Sequence, residues 1–273
     1  MRIGWVGLGA IGTNMVLRAL DAGHHVTAAY ARGQGLTAVQ AKGGGSTSNY
    51  ATLTDGAEIV ALCLFDDDQL RRVVFDGGLL AATRPGAILV IHTTGAPALA
   101  REIGDQAPDG VAVLDATFSG GPHNVLAGEL TMMVGGEVET IERARPLFAA
   151  YAKQIFHVGP LGSGQEVKLL NNLLFAANLK NAAEMLLVAE TLGLAPSTVA
   201  NMIQYCSGAS SALRSFQSPA PIAGTLGRIQ PYVGKDVATI ARTAAEAGID
   251  ISVFADTVAY FSKKRTEPGG TGT

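Results

Sequence analysis

The first residues that could do chemistry form a glycine-rich hexapeptide near the start of the chain, Gly7-Leu8-Gly9-Ala10-Ile11-Gly12. A short apolar run precedes it and an apolar pattern of helical spacing follows it, which is the context that a GxGxxG motif requires. In such a turn the first glycine permits a tight bend, the second lets the backbone approach a pyrophosphate, and the third lets the helix pack on the sheet. The pattern favours a dinucleotide site over a glycine-rich turn without a ligand.

The end of the second predicted strand bears on which dinucleotide binds. An NAD site usually has Asp or Glu about 20 residues after the glycines, where it binds the ribose 2′-hydroxyl. Here the stretch is Ala28-Ala29-Tyr30-Ala31-Arg32-Gly33, and no acidic residue occurs between it and Asp55. A guanidinium can pair with a 2′-phosphate. Arg32 therefore favours NADP over NAD, the alternative being that Arg32 is a solvated loop charge.

A second polar segment, Asp115-Ala-Thr-Phe-Ser-Gly-Gly121, ends a predicted strand with a hydroxyl and two glycines. Backbone N–H groups beside the hydroxyl of Ser119 suit a carboxylate. An ordinary turn would need the same residue types. The segment alone favours the ordinary turn.

A third polar segment, Gly164-Gln-Glu-Val-Lys-Leu-Leu-Asn-Asn172, opens a predicted helix. Lys168 and Asn172 are four residues apart and therefore share one face of that helix. A lysine among apolar side chains can serve as an acid or base near neutral pH. Alternatively, its stem extends along the apolar surface and its ammonium group reaches solvent.

Strand–helix alternation over the first 160 residues predicts the framework for these segments, an α/β fold with a doubly wound, mostly parallel sheet. From Gln165 to Leu192 there is no proline or glycine, which predicts a long linking helix. Beyond it, helical patterns cover 196–205, 234–247 and 252–264. We expect a Rossmann-type nucleotide-binding domain over 1–161, an all-α domain over 162–266 and a flexible tail over 267–273.

Composition excludes several classes of protein. The chain has 273 residues, 34 of them glycine, with 48% hydrophobic residues and a net charge of −3. Glycine without a triplet period excludes collagen, the apolar content excludes disorder, and the near-neutral charge argues against nucleic acid. No apolar run approaches a membrane span, and no signal peptide is recognisable. Cys63 and Cys206 have no metal-ligand spacing, so we expect reduced thiols, no metal and a cytoplasmic location.

Taken together, the motifs resemble the β-hydroxyacid dehydrogenases, the family that includes 3-hydroxyisobutyrate dehydrogenase and is related to 6-phosphogluconate dehydrogenase. The resemblance runs from Arg2 to about Phe261 and rests on four segments in family order: 7–12, 115–121, 164–172 and the pair Lys235-Asp236. It implies a Rossmann-type domain, a long linking helix and an all-helical C-terminal domain. It also implies a hydride transfer between NAD(P) and a small β-hydroxy acid.

The resemblance further implies roles for individual residues. Lys168 would be the catalytic acid/base, Asn172 would orient the substrate, and Ser119 would hold its carboxylate. The implied substrate-binding residues are Ser119, Gly120, Gly121, His123, Asn171, Arg228 and Asp236. The implied cofactor-binding residues are Gly7, Leu8, Gly9, Ala10, Ile11, Gly12, Arg32, Leu64, Phe65, Thr94 and Lys235.

Departures from the family pattern concern the substrate pocket. Thr117 and Phe118 replace a usual Pro-Val pair, and the residues after Gly121 are larger than usual at His123 and Asn124. We expect an NADP-preferring oxidoreductase for a small hydroxy acid or aldehyde, in a homodimer or homotetramer. Alternatives are an imine or other carbonyl reductase on the same scaffold, or a dinucleotide-binding module without catalysis.

Overall fold

Short β-rich runs in the first 160 residues form the eight strands of a single sheet. The computed structural model describes residues 1–29 and 33–262. The strands are β1 (Arg2–Val6), β2 (His25–Ala29), β3 (Gly45–Thr47), β4 (Ile59–Leu62), β5 (Ile88–Ile91), β6 (Ala112–Ser119), β7 (Leu130–Gly135) and β8 (Ala152–Gly159).

The sheet has the strand order β3-β2-β1-β4-β5-β6-β7-β8. Every neighbouring pair is parallel except β6 and β7, which are antiparallel. The chain passes from β1 outward to β3 and then returns to the other side of β1, so the strand order reverses between β1 and β4. This arrangement confirms the predicted doubly wound, mostly parallel sheet. The antiparallel pair arises because a short helix after Ser119 turns the chain back onto β6.

Helices alternate with these strands along the chain. They are α1 (Ala10–Asp21), α2 (Gly33–Ala41), α3 (Tyr50–Thr54), α4 (Asp67–Arg71), α5 (Leu79–Ala82), α6 (Pro97–Asp105), α7 (Pro122–Ala127) and α8 (Val138–Phe148), with a π-helical turn at Arg72–Asp76. Successive strand residues enter different cores: Ile59 and Ala61 belong to one apolar cluster, and Val60 and Leu62 to another. Both faces of the sheet are therefore buried, as expected of a parallel sheet.

The rest of the chain is helical within the described residues. Its helices are α9 (Ser163–Thr191), α10 (Pro196–Ile203), α11 (Ile222–Ala247) and α12 (Ala255–Ser262), with 3₁₀ turns at Leu213–Phe216 and Ser252–Phe254. The chain divides into two compact units, Met1–Lys168 and Leu169–Thr273. Within the described residues, 1–29 and 33–262, no helix is long and apolar enough to cross a bilayer.

Helix α11 begins twelve residues before the predicted start at position 234. The glycines and Pro231 before this position disfavour a helix, because an internal proline lacks an N–H and costs about 3 kcal/mol. The helix nevertheless continues, since Ile222, Leu226, Val233 and Val237 form one buried stripe. Burial of a side chain of this size contributes about 1.5–3 kcal/mol. The stripe as a whole therefore outweighs the cost of the proline.

A buried histidine links the end of β5 to the rest of the first unit. His92 is 1% exposed, and its Nδ1 lies 2.6 Å from the carbonyl oxygen of Ala116. Because a carbonyl only accepts, Nδ1 carries the proton, and Nε2 accepts from the Tyr151 hydroxyl at 3.0 Å. Trp5 stacks on the imidazole with ring centroids 5.7 Å apart, and its own N–H donates to the carbonyl of Gly7. Burial lowers the pKa of His92 to about 4.

This pKa predicts a specific acid sensitivity. The unfolded chain binds a proton at His92 near pH 6.5 and the folded chain only near pH 4, so stability falls as pH drops between these values. The loss amounts to roughly 3 kcal/mol. His92→Gln keeps a donor and an acceptor but cannot titrate, and it should flatten this part of the pH profile. Urea unfolding of both proteins from pH 7 to pH 4 measures the difference, and parallel profiles would contradict the assignment.

Candidate active site

The predicted GxGxxG motif forms the turn between β1 and α1. Gly7 has φ +103°, and a side chain there would collide with the carbonyl oxygen of Cys63. A side chain at Gly12 would collide with the carbonyl oxygen of Gly7. A Cβ at Gly9, in contrast, would meet no atom within 4 Å. Internal packing therefore accounts for two of the glycines, and the space over Gly9 fits the close approach of a ligand.

The N-terminus of α1 also suits an anion. Gly9 is its N-cap and provides no side-chain cap, and no acidic residue occurs in the first helical turn. Gly9 and Ala10 are exposed. The first N–H groups of a helix carry partial positive charge and lack partners within the helix. The turn therefore has the donor groups and the free volume that a pyrophosphate needs.

Three further residues are predicted to contact the cofactor. Leu64 and Phe65 follow β4, which is next to β1, and Thr94 follows β5, the strand beyond β4. The N–H of Leu64 donates to the hydroxyl of Thr93 at 2.9 Å, which joins the loops after β4 and β5. The N–H of Phe65 donates to Oε1 of Gln69 at 3.2 Å, and the Phe65 ring is 45% exposed. Parallel strands end at the same edge of a sheet, so these loops lie on the same edge as the glycine-rich turn.

Arg32, on which the preference for NADP rests, lies outside the described residues. The preceding strand, β2, ends at Ala29. Ala29 is paired with Val6 of β1, directly before the glycine-rich turn.

Ser119 and Gly120 lie where β6 ends and the chain turns into α7. Gly120 has φ +129°, a conformation that side chains rarely adopt. The N–H of Gly121 donates to Oδ1 of Asn124 at 2.9 Å. His123 is exposed, and its ring lies 3.4 Å from the position of a Cβ on Gly121. The structure thus brings together Ser119, Gly120, Gly121 and His123, and it adds Asn124 to them.

The first turn of α9 is fixed to the sheet by two buried polar side chains. Asp115 of β6 is 0% exposed and accepts from the N–H of Gly162 at 2.8 Å and of Gln165 at 2.7 Å. Gln165 is 1% exposed; its amide accepts from the N–H of Gly95 at 2.9 Å and donates to the carbonyl of Thr93 at 2.8 Å. The helix start is therefore bonded to both β6 and the loop after β5.

The same face of β6 carries further polar groups toward this helix. The hydroxyl of Thr117 donates to the carbonyl of Gly164 at 2.8 Å. Side chains alternate along a strand, so Asp115, Thr117 and Ser119 point to one face. Lys168 lies one helical turn after Gly164 and is partly buried. Ser119 and Lys168 are thus carried by a strand and a helix that are directly hydrogen-bonded to each other.

Burial and hydrogen bonding act in opposite directions on Asp115. Burial is the larger effect and raises the pKa of this carboxyl to about 6. The N–H donors of Gly162 and Gln165 lower it, as does the positive charge of Arg101. A carboxylate at a helix N-terminus also benefits from the helix dipole. The net effect is a pKa above the ordinary value for an aspartate, at a carboxyl whose two oxygens hold the start of α9.

In the second unit, four predicted residues form one cluster, joined by two hydrogen bonds and one ion pair. Asn172 Nδ2 donates to Oδ2 of Asp236 at 2.5 Å, and Lys235 Nζ lies 2.8 Å from Oδ1 of the same carboxylate. Asn171 Nδ2 donates to Oδ1 of Asn172 at 2.9 Å. Asp236 is 8% exposed. The orientation of the Asn172 amide is therefore set by α11 on one side and by Asn171 on the other.

Arg228 does not belong to this cluster. It lies two helical turns before Asp236 on α11, is exposed, and donates to the Thr225 hydroxyl at 3.2 Å. Within the described part of the chain, no group of three or more potential metal-ligating side chains occurs.

Sequence reasoning missed the residues that anchor α9. Asp115 was recognised only as the start of a motif, and Gln165 only as part of a helical segment. A period-two run of polar residues in an otherwise buried strand, Asp115, Thr117 and Ser119, is the signal that could have identified them. The pairing partner, the start of α9, lies about 50 residues away in the sequence, so no local pattern could reveal it.

A sheet whose strand order reverses where a glycine-rich turn opens a helix defines a Rossmann-type dinucleotide-binding unit. Comparison with known families agrees with this description. The family model described as the NAD binding domain of 6-phosphogluconate dehydrogenase matches residues 2–159. The one described as NAD-binding of NADP-dependent 3-hydroxyisobutyrate dehydrogenase matches residues 162–271.

Individual relatives point to the same family. The chain is 35% identical to an NAD-dependent L-serine dehydrogenase of Pseudomonas aeruginosa over 218 residues, 79% of this chain and 73% of that protein. It is 32% identical to a 3-hydroxyisobutyrate dehydrogenase of the same organism over 216 residues, 78% and 72% of the two chains. A Mycobacterium tuberculosis 3-hydroxyisobutyrate dehydrogenase structure with L-serine superposes with a TM-score of 0.83 at 27% identity, covering 96% and 92%.

The chain belongs to the β-hydroxyacid dehydrogenase family, which confirms the resemblance inferred from the motifs. It is an NAD(P)-dependent oxidoreductase of the type that acts on CH–OH groups.

The anchoring of α9 predicts the effect of Asp115→Asn. This change leaves one acceptor oxygen and places an NH₂ group against the second N–H, so a buried donor loses its partner. We expect a loss of about 2–4 kcal/mol in unfolding free energy and faster amide exchange at Gly162 and Gln165. Asp109→Asn, in the exposed turn before β6, is the matched control. Unchanged exchange at both amides in Asp115→Asn would contradict the anchoring role.

Proposed function

We propose that the chain is an NADP-preferring dehydrogenase that interconverts a small β-hydroxy acid and its semialdehyde or keto acid, with Lys168 as the general acid/base. The observation that carries the proposal is the buried attachment of the first turn of α9 to β6, one helical turn before Lys168. The two relatives named for their substrates support it, because L-serine and 3-hydroxyisobutyrate both carry a hydroxyl on the carbon β to a carboxyl.

The chain's own groups would handle the proton and the carboxylate. A bound nicotinamide would supply the acceptor for the hydride that leaves the carbon bearing the hydroxyl. Lys168 Nζ takes the hydroxyl proton as the C–H bond breaks, and it returns a proton to the developing alkoxide in the reverse direction. The Ser119 hydroxyl donates to the substrate carboxylate from the strand that holds α9. Each group acts from an element with little freedom to move, which favours a fixed reaction geometry.

The family resemblance also implies roles for residues of the second unit. The amide of Asn172 is held by Asp236 and Asn171, so it is oriented before the substrate arrives. We assign it the role of orienting the substrate, Asp236 and Asn171 the role of fixing that amide, and Lys235 a position near the cofactor. His123, beside Gly121, and Arg228 on α11 would define the size and charge of accepted substrates.

The family depends on NAD(P), and we propose that this chain prefers NADP to NAD. The free volume over Gly9 and the uncapped start of α1 fit a pyrophosphate. Leu64, Phe65 and Thr94 would contact the remainder of the dinucleotide from the neighbouring loops. The absence of an acidic residue between Ala28 and Asp55, together with Arg32, supports NADP.

Assembly and location complete the proposal. Within the described residues, Leu187, Val188 and Leu192 of the α9 region are at least half exposed. An apolar surface on a long helix supports a homodimer or homotetramer. The two cysteines, Cys63 and Cys206, are both free, in keeping with a cytoplasmic protein.

Replacing Lys168 with alanine tests the proposed chemistry. Loss of a positioned acid/base should lower kcat by about 10²–10⁴-fold, whereas the affinity for NADPH, measured by fluorescence titration, should stay within about twofold. Lys180→Ala is the matched control, because Lys180 lies on the same helix in an ion pair with Glu184. A screen of hydroxy acids and aldehydes with each cofactor identifies the substrate used. Full activity of Lys168→Ala on that substrate would refute the mechanism.

Replacing Arg32 with alanine tests the cofactor preference. Loss of a charge-assisted contact to a 2′-phosphate should raise KM for NADP(H) by roughly 10–100-fold. KM for NAD(H), which has no 2′-phosphate, should change by less than about twofold. Arg84→Ala removes an exposed arginine that pairs with Asp55, and it serves as the control. Equal effects on both cofactors, or faster turnover of the original protein with NADH, would overturn the preference.

A further inference from the structure

The side chain of Asn124 accepts a hydrogen bond from a backbone N–H of the turn formed by Ser119, Gly120 and Gly121. Its Oδ1 accepts from the N–H of Gly121 at 2.9 Å, and its own N–H donates to the carbonyl of Gly121 at 3.0 Å. Its Cβ lies 3.0 Å from the position of a Cβ on Gly120. The side chain therefore lies directly over both glycines. Asn124 is the third residue of α7, from which a side chain can reach back to the N-cap N–H, as in one half of a capping box.

This contact conflicts with a simple carboxylate site at the same turn. A backbone N–H has one hydrogen, and here that hydrogen already points to the carboxamide oxygen of Asn124. A carboxylate held by Ser119 and Gly121 must displace this oxygen. The hydrogen bond gained at Gly121 is then offset by the one lost to Asn124. The turn consequently contributes less to carboxylate affinity than the same turn with a small residue at this position.

We propose that Asn124 is a specificity-determining residue that competes with the substrate carboxylate for the N–H of Gly121. This inference rests on the proposed binding of the carboxylate at Ser119–Gly121. Asn124 reduces the contribution of the substrate carboxylate to binding affinity. It therefore shifts selectivity toward substrates that are bound mainly through other groups. A neutral substrate does not need the Gly121 N–H, so Asn124 leaves its binding unchanged.

Two substitutions at this position should act in opposite directions. Asn124→Ala frees the Gly121 N–H and should lower KM for 3-hydroxypropionate by about fivefold. Asn124→Asp keeps the acceptor but adds a negative charge next to the bound carboxylate, and should raise that KM by at least about tenfold. Methyl 3-hydroxypropionate, which lacks the charge, should show less than about a twofold change in either variant. Leu126→Ala, on the exposed side of the same helix, is the matched control.

Amide exchange at Gly121 tests the contact separately from activity. The Gly121 N–H should be protected in the original protein and in Asn124→Asp, and should exchange faster in Asn124→Ala. A thermal melt of each variant establishes that it is folded. A KM for 3-hydroxypropionate that stays unchanged or rises in Asn124→Ala would overturn the competition, even if exchange at Gly121 increases.

A failure of the proposed function gives a different result. In that case no variant would oxidise a β-hydroxy acid with either cofactor. The role of Asn124 is then decided by the affinity for 3-hydroxypropionate, measured by titration calorimetry in the presence of NADP⁺. Tighter binding to Asn124→Ala than to the original protein supports the competition. Equal affinity, or no binding to either protein, overturns it.

Discussion

The buried carboxylate of Asp115 is the interaction on which the proposed active site depends most. A charged group without solvent is costly unless hydrogen bonds compensate for the lost water. Here two N–H groups from the start of α9 supply that compensation, and these same groups would otherwise lack partners because a helix leaves its first N–H groups unpaired. The carboxylate of β6 and the N–H groups at the start of α9 are therefore hydrogen-bond partners that would each be unpaired without the other. Moving the helix would leave both a buried charge and buried donors unpaired.

The glycine content of the chain follows partly from this attachment. A side chain at Gly164 would lie 2.6 Å from the carbonyl oxygen of Asp115, and one at Gly135 would lie 2.7 Å from the carbonyl oxygen of Pro160. The start of α9 approaches the sheet so closely that only glycine fits at these contact points. At the start of α1, Gly12 is closely packed in the same way, because a side chain there would collide with the carbonyl oxygen of Gly7. Close helix–sheet approach is thus the common cause of glycines that are far apart in the sequence.

Local structure could be predicted from the sequence far better than long-range contacts. The alternation of strands and helices, the long helix α9 and the glycine-rich turn depend on neighbouring residues, and their patterns were readable. The start of α11 was not, because its burial against other helices outweighs the local signal of Pro231. The motifs also identified Ser119 and Lys168 as candidates. They could not reveal the hydrogen bonds of Asp115 to Gly162 and Gln165, or of Asn172 to Asp236. These residues are far apart in the sequence and come together only when the chain folds.

Under the proposed function, chemistry and selectivity depend on different kinds of contact. The groups that hold the start of α9 are buried and joined across some 50 residues, so a substitution there is expected to disturb both folding and the proposed role of Lys168. The contact between Asn124 and Gly121, in contrast, spans three residues at a partly exposed turn. A substitution at position 124 changes one donor and leaves the attachment of α9 intact. If Lys168 and Asn124 act as proposed, a change in the residues after Gly121 alters substrate range and leaves the proton-transfer geometry unchanged.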